Sequence, residues 1–153
     1  MEYIAKNKNI SKKGLIDYVD SDLIEQPVNL HSDGYARKGS IKIHRIIMER
    51  IIKSKIPKNK VVDHINRNRL DNRRSNLRLC SISENSRNVG KFKGTSKFKG
   101  VSWKKSKNKW CCQIKVNGNV KHLGLFDNEI DAGKRYNEEA LLLHGDFASL
   151  NKI

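Results

Sequence analysis

The middle of the chain contains three short motifs, VVDHIN at 61–66, SNLR at 75–78 and SEN at 83–85. The β-branched, apolar run 61–65 predicts a strand, and the polar run 67–75 predicts a loop. Leucines alternate with other residues over 76–80, which predicts a second strand. Ser81 and Glu84 have the spacing of a capping box, which opens a helix. The predicted order is therefore strand, loop, strand, helix.

The residues before these motifs predict one helix and a small strand region. Over 43–54 the apolar residues Ile43, Ile47 and Ile51 recur on one helical face, and Pro57 prevents the next stretch from continuing the helix. Residues 1–42 are predicted to form short strands and turns. One hairpin is expected there, across Lys38-Gly39.

The three motifs resemble the HNH nuclease motif, and specifically the HNH homing endonucleases of phages and introns. The fold of that family is a ββα-metal finger. An acidic residue and a histidine end its first strand, an asparagine begins the second, and a histidine or asparagine lies in the helix. Asp63, His64, Asn76 and Asn85 fill these places, with Asn76 12 positions after His64 and Asn85 9 positions after Asn76. HRIIM at 44–48 and IPKN at 56–59 extend the similarity upstream.

The resemblance implies a role for each of these residues in phosphodiester hydrolysis. A neutral histidine can take a proton from water, so His64 is the expected base. The carbonyl of Asn76 would hold the His64 ring in one orientation. Asp63 and Asn85 would supply oxygen ligands to Mg²⁺, for which Mn²⁺ can substitute.

Taken singly, these residues also fit other roles: the Asp-His pair a surface pair, Asn76 a turn residue, and Asn85 a solvent-facing helix residue. Their combination favours catalysis. The expected phosphate contacts are Arg67, Arg69, Arg73 and Arg74.

The C-terminal third predicts three strands and a helix. The strands are expected at 98–103, 109–116 and 119–126, with a hairpin turn at Asn117-Gly118. A helix is predicted from Glu129 to His144, because Asn128 can cap it and Gly145 can end it. Its predicted apolar stripe is Ala132, Tyr136, Ala140 and Leu143.

Residues 96–151 resemble the Apetala/ethylene-response-factor type of DNA-binding domain of plants. The similarity rests on SKFKGVSW (96–103), KWCCQI (109–114), LGLFD (123–127), AGKRYNEEA (132–140) and GDFASLN (145–151). In that family the outward face of the sheet lies in the DNA major groove. The residues that this implies are Lys99, Trp103, Lys104, Lys109, Gln113 and Lys115; core packing is the alternative for Trp103.

Lysine replaces the family's arginine at several places, which favours phosphate affinity over base discrimination. Gly133 stands where the family prefers alanine, which would weaken the helix by about 1 kcal/mol.

Composition agrees with a nucleic-acid partner. The chain of 153 residues has 32 Lys+Arg against 16 Asp+Glu, a net charge of +16, and no acidic residue from Asn85 to Phe126. Such a balance favours polyanions, with nucleic acid ahead of an anionic membrane surface. No apolar run could span a bilayer, and the N-terminus has no signal-peptide core. The three cysteines form no C-x-x-C pair, which argues against zinc fingers and disulfides.

The sequence therefore predicts an α+β protein: a ββα-metal HNH finger after a small strand and helix region, and a three-stranded antiparallel sheet packed on one helix. The expected parts are an N-terminal region at 1–42, an HNH domain at 43–90, a basic linker at 91–96 and a DNA-binding domain at 97–153. We expect an intracellular, monomeric, phage- or mobile-element-encoded endonuclease that acts on double-stranded DNA, with no membrane or small-molecule substrate. Nicking and double-strand cleavage both stay open. A non-catalytic DNA-binding regulator and an RNA-binding protein are the alternatives.

Overall fold

The computed structural model describes residues 1–88, 90, 94–116 and 118–153, and it divides into two compact units, Met1–Asn85 and Ser86–Ile153. The first unit begins with a five-stranded sheet. Its strands are β1 (Glu2–Lys6), β2 (Ser11–Leu15), β3 (Val28–Leu30), β4 (Ala36–Lys38) and β5 (Ile41–Lys42), in the spatial order β2-β1-β3-β4-β5. Only β1 and β3 pair in parallel among these neighbours. The predicted hairpin across Lys38-Gly39 is confirmed, because β4 and β5 pair there.

The rest of the first unit contains the HNH-like motifs. Helix α1 (Ile43–Ile52) precedes strand β6 (Val61–His64), and strand β7 (Leu77–Cys80) pairs antiparallel with β6. A short helix α2 (Ile82–Arg87) follows β7. The predicted order of strand, loop, strand and helix is thus present, whereas the metal finger stays a prediction. The capping box is confirmed, since the Glu84 carboxylate accepts from Ser81 N at 2.7 Å and Glu84 N donates to Ser81 Oγ at 3.1 Å.

The core of the first unit joins the N-terminal strands to the HNH-like segment. Ile43 and Ile47 of α1 are fully buried with Tyr3, Ala5 and other residues of the strands. The predicted apolar face of α1 was wrong at one position. Ile51 is 38% exposed, and His44 and Met48 are buried instead, because the helix turns this side to the sheet and to β6. The N-terminal strands therefore support the segment that carries the candidate site.

The loop between β6 and β7 is held to strand β2 by backbone hydrogen bonds. Leu15 N donates to Leu70 O at 2.8 Å, and Asn72 N donates to Leu15 O at 2.7 Å. Leu70 is buried in the common core, as its apolar character in a polar loop predicts. This loop is consequently part of the folded core and is fixed from the N-terminal side.

The second unit is a three-stranded antiparallel sheet covered by one helix. Its strands are β8 (Val101–Lys104), β9 (Lys109–Val116) and β10 (Asn119–Phe126), in the order β10-β9-β8. Helix α3 (Glu129–His144) begins at Asn128, whose side chain accepts from Ile130 N at 2.7 Å, and ends at Gly145. Both predicted ends of α3 are confirmed.

The core of the second unit lies between the sheet and α3. Cys112 and Ile114 of β9 pack on the helix, as alternation along the strand predicts. The predicted helix stripe was wrong at Leu143, which is 36% exposed; Gly133 and Glu139 are buried instead. The turn residue Asn117 and residues 91–93 of the predicted basic linker lie outside the described residues. In the described ranges, no helix combines the length and the apolar character that crossing a membrane requires.

Candidate active site and nucleic-acid surface

His64, the expected base, ends strand β6 with its ring buried. Its Nε2 atom lies 3.2 Å from the side-chain oxygen Oδ1 of Asn72. The Asn72 amide nitrogen donates to the hydroxyl of Tyr3 at 2.6 Å, and that hydroxyl donates to Leu70 O at 3.1 Å. A chain of polar groups thus joins strand β1 to the His64 ring.

Two aromatic rings pack on His64. The ring centroid of His44 is 5.0 Å away in an edge-on arrangement, and that of Tyr35 is 5.8 Å away. Tyr35 is in turn covered by the Lys42 ammonium, 4.0 Å from its centroid. These contacts leave the His64 ring little freedom to rotate.

Burial keeps both imidazoles neutral. Desolvation lowers the pKa of His64, although the hydrogen bond to Asn72 and the charges of Asp63 and Asp71 oppose it. Desolvation also lowers the pKa of His44, to about 3, with a smaller contribution from the neighbouring His64, since the two rings disfavour a charge on both. A neutral imidazole at neutral pH is the form that can accept a proton.

Asp63 precedes His64 and pairs across the hairpin with Arg78. Arg78 Nε and Nη2 donate to Oδ2 of Asp63 at 2.9 and 2.7 Å. Both side chains are largely buried, so the ion pair is poorly screened by solvent. The carboxylate is therefore held in one orientation at the end of β6.

Asn76 closes the loop between the strands. Its side-chain oxygen accepts from Asn66 N at 3.0 Å, and its amide nitrogen donates to Asn66 Oδ1 at 3.0 Å and to Asp71 O at 2.7 Å. We predicted that Asn76 orients His64. The structure corrects this, because the side-chain carbonyl at His64 Nε2 is that of Asn72, whereas the Asn76 amide is directed to the loop backbone.

Asn85, the second expected metal ligand, lies on α2 with a half-buried side chain, and its backbone N donates to Ser81 O at 2.9 Å. Among the described residues no three of the His, Cys, Asp or Glu side chains form a metal-binding cluster. The carboxylate of Asp63 and the amide of Asn85 are nevertheless hard oxygen donors. These are the ligand types that a cation such as Mg²⁺ takes, with water or phosphate oxygens in its other positions.

The four loop arginines have different surroundings. Arg73 pairs with Asp71 at 2.7 Å, and Arg74 pairs with the buried Asp20 at 2.8 Å. Arg69 donates to Asp33 O at 2.6 Å, and Arg67 adopts a positive φ of 65°. Arg73 and Arg74 therefore brace the loop through carboxylates. Phosphate contact by the four stays a prediction.

The outward face of the C-terminal sheet carries most of the predicted DNA-facing residues. Lys104 is the cross-strand partner of Lys109, and Gln113 and Lys115 follow on the same side of β9. Lys109 is also paired with Asp127 at 2.8 Å. Gln113 and Lys115 are exposed and lie opposite His122 and Val120 of β10.

Two of the predicted DNA-facing residues lie elsewhere. Trp103 is the cross-strand partner of Trp110 and stacks against it with 5.1 Å between ring centroids. Trp110 packs on the core beneath α3, and opposite residues of an antiparallel pair share a face. Trp103 therefore lies on the core side of the sheet, so the alternative of core packing holds and the outward placement does not. Lys99 precedes β8, and its ammonium donates to Arg87 O at 3.0 Å.

Sequence reasoning missed Asn72, Tyr3 and His44 at the candidate site. Asn72 lies in the polar run 67–75, where nothing in the sequence distinguishes it from its neighbours, and Tyr3 is 69 positions away from it in the chain. His44 is the first residue of the HRIIM segment, but its approach to His64 depends on how α1 packs on β6.

Comparison with known proteins finds sequence similarity in the segment that contains His64. Residues 42–87 match the family model described as HNH endonuclease. An uncharacterised HNH endonuclease of Acanthamoeba polyphaga mimivirus is 39% identical over 115 residues, which cover 75% of this chain and 59% of that protein. Protein 3.8 of Escherichia phage T7 is 41% identical over 64 residues, 41% of this chain and 53% of that protein.

A second uncharacterised HNH endonuclease of the mimivirus is 51% identical over 45 residues, 29% of this chain and 11% of that protein. The chain thus spans less than two thirds of the length of each of these relatives. Residues 42–87 are thus similar in sequence to HNH endonucleases, and the arrangement at His64 lies inside this segment.

Proposed function

We propose that this protein is a metal-dependent DNA endonuclease of the homing type, which hydrolyses phosphodiester bonds in duplex DNA. The observation that carries the proposal is the buried His64, oriented by a side-chain carbonyl and adjacent to Asp63, inside the segment similar to HNH endonucleases. The net charge of +16 supports a polyanionic substrate. Relatives in a giant virus and a phage support a gene carried by a virus or mobile element.

In the proposed reaction, His64 takes a proton from the water that attacks phosphorus. The bond to the 3′ oxygen breaks, and that oxygen takes a proton from solvent water to become a hydroxyl. A divalent cation held by Asp63 and Asn85 would supply charge neutralisation at the phosphate and the leaving oxygen. Arg78 keeps the Asp63 carboxylate in place. The products would be 5′-phosphate and 3′-hydroxyl ends.

The number of strands cut follows from the number of candidate active sites. Each chain has one such site, at His64, so a monomer would cut one strand in each binding event and act as a nickase. Cutting both strands would require a second copy or a second binding event.

The C-terminal unit is proposed to hold the DNA. The exposed lysines of the β8 and β9 face, Lys104 and Lys115, attract phosphate without a fixed hydrogen-bonding geometry. The absence of Asp and Glu from Asn85 to Phe126 supports the same role. The expected contribution is affinity for the DNA backbone more than recognition of bases.

The direct test is cleavage of supercoiled DNA carrying candidate target sequences, at low salt with Mg²⁺ or Mn²⁺ and with EDTA controls. Wild type is compared with His64→Ala and with His31→Ala, a matched variant at an exposed histidine of the same unit. We expect metal-dependent nicking by wild type and His31→Ala, and none by His64→Ala. Equal cleavage by all three proteins would contradict the assignment of His64. Tight duplex binding without cleavage at any target would favour a regulator.

A further inference from the structure

We propose that Asn72 is a positioning residue that holds His64 in the tautomer protonated at Nε2, so that Nδ1 is the nitrogen that accepts the proton from water. Tyr3, on the first strand of the chain, fixes the orientation of the Asn72 amide. The catalytic part of this inference rests on the proposed function, whereas the tautomer can be measured without any reaction.

The donor in each hydrogen bond can be assigned by starting at the Leu70 carbonyl and working back to His64. Leu70 O is a backbone carbonyl, so it can only accept, and the Tyr3 hydroxyl must donate its single hydrogen in that 3.1 Å contact. In the 2.6 Å contact with Asn72, Tyr3 therefore accepts, and the amide nitrogen of Asn72 donates. This places the amide oxygen on the side of Asn72 that faces away from Tyr3.

The amide oxygen then determines the protonation of the His64 ring. Oδ1 of Asn72 lies 3.2 Å from Nε2 and carries no hydrogen, so the hydrogen between them belongs to Nε2. A neutral imidazole has one N–H, which leaves the lone pair on Nδ1. Tyr3 thus selects the basic nitrogen of His64 through the Asn72 amide, which lies between them in the hydrogen-bonded chain.

The three side chains are buried deeply enough for the hydrogen bonds between them to be stable. Tyr3, Asn72 and His64 are 5%, 1% and 3% exposed, so water competes poorly for their hydrogen bonds. The backbone of Asn72 is also fixed, because its N donates to Leu15 O at 2.7 Å. Reversing the amide would place an N–H against Nε2 and an oxygen lone pair against the hydroxyl, which would then leave Leu70 O.

Gly14 on β2 gives Tyr3 the space for this contact. A Cβ atom at position 14 would lie 2.2 Å from Cζ and 2.5 Å from the hydroxyl oxygen of Tyr3. Position 14 is the cross-strand partner of Tyr3, so the ring lies flat across β2 on its way to Asn72. The N-terminal sheet therefore has a positioning role at the candidate site.

The test is a two-bond ¹H–¹⁵N correlation spectrum of the histidine side chains in the full-length protein near neutral pH. The His64 signals are assigned by their loss in His64→Gln. In wild type we expect the pattern of the Nε2–H tautomer. In Asn72→Ala we expect an average of both tautomers, together with a 10- to 100-fold lower kcat at an unchanged KM, the size of effect known for groups that orient a histidine.

The control is Asn29→Ala, which changes an exposed asparagine on β3 and should alter neither the tautomer nor kcat. An Nδ1–H pattern in wild type would overturn the inference without any variant, even if Asn72→Ala failed to fold. A folded Asn72→Ala with an unchanged tautomer would overturn it as well. If wild type shows Nε2–H, lost in Asn72→Ala, but cleaves no DNA, then the proposed function fails and the hydrogen-bond assignment is supported.

Discussion

Arg78 donates two hydrogen bonds to the same carboxylate oxygen of Asp63, with Nε at 2.9 Å and Nη2 at 2.7 Å. The two residues are directly opposite on β6 and β7, so the strand register itself brings them together. A metal ion bound at Asp63 would share its carboxylate with this guanidinium. Arg78 therefore fixes the orientation of the carboxylate and limits the negative charge that a metal ion would meet.

Breaking the Asp63–Arg78 pair should strongly destabilise the first unit. Arg78→Gln or Asp63→Asn leaves a largely buried charge without its partner, which costs about 3–5 kcal/mol. The double variant should cost less than the sum of the two by about 1–3 kcal/mol. The stabilities of the three variants are measured by urea unfolding, with amide hydrogen exchange in β6 and β7 as the readout. Strictly additive losses would mean that the pair contributes nothing specific.

His44 should make the first unit sensitive to mild acid. Its pKa is about 3 in the fold and 6.5 in the unfolded chain, because burial disfavours the charged ring. As the pH falls below about 6.5, the unfolded state takes up a proton that the native state refuses. The free energy of unfolding should then fall by up to about 1.4 kcal/mol for each pH unit below about 6.5, down to the folded-state pKa of His44.

The His44 effect is measured between pH 7 and 5 by hydrogen exchange of the α1 amides. His44→Phe keeps an aromatic ring but removes the titrating group, so its stability should fall less steeply over this range. A residual slope is expected from His64, whose pKa is also lowered. The same slope in wild type and His44→Phe would refute the assignment.

Asp20 should be a major structural anchor of the N-terminal region. It is fully buried and accepts from Arg50 at 3.0 Å and from Arg74 at 2.8 Å. Burial alone would raise its pKa, but the hydrogen bonds from the two arginines outweigh burial and lower it. Asp20→Ala should cost about 1.5–3 kcal/mol, because two guanidinium groups lose hydrogen bonds to a buried carboxylate while they stay about a third exposed to water. Asp22→Asn, at an exposed carboxylate, should cost about 1 kcal/mol or less by the same hydrogen-exchange assay.

Gly133 should resist replacement by alanine, although alanine favours helices by about 1 kcal/mol. A Cβ atom there would lie 2.8 Å from Cδ2 of the buried Phe98 ring, which cannot move without disturbing the core. We expect Gly133→Ala to destabilise the second unit by about 1–3 kcal/mol. The fluorescence of Trp103 and Trp110 during urea unfolding reports this unit. Phe98→Leu combined with Gly133→Ala should recover part of the loss, and a stabilised single variant would contradict the packing argument.

DNA binding should depend steeply on salt. Each phosphate neutralised by lysine contributes about −0.9 to the slope of log K against log salt. Lys104→Ala and Lys115→Ala should each make the slope shallower by roughly that amount, measured by fluorescence anisotropy on a labelled duplex. Lys12→Ala, at an exposed lysine of β2, is the matched control and should leave the slope unchanged. A nearly flat plot for wild type would argue against backbone contacts.

The elements of the fold were readable from the sequence where the signal is local. Capping residues fixed both ends of α3 and the start of α2, because an N-cap acts within three or four positions. Alternation along β9 correctly separated Cys112 and Ile114 from the outward residues. The same reasoning failed at Ile51 and Leu143, because helical periodicity does not show which edge of an apolar stripe meets the neighbouring element.

By itself, the sequence determined the chemical types at the candidate site and their order along the chain, since an Asp-His pair, two asparagines and their spacing need no third dimension. Only the tertiary structure decided which side chains meet. It assigned Asn76 to the loop, put Asn72 against His64 and brought Tyr3 to Asn72 across 69 positions. The physical reason is that hydrogen-bond partners are selected by proximity and burial, and strand pairing creates that proximity between residues with no relation in sequence.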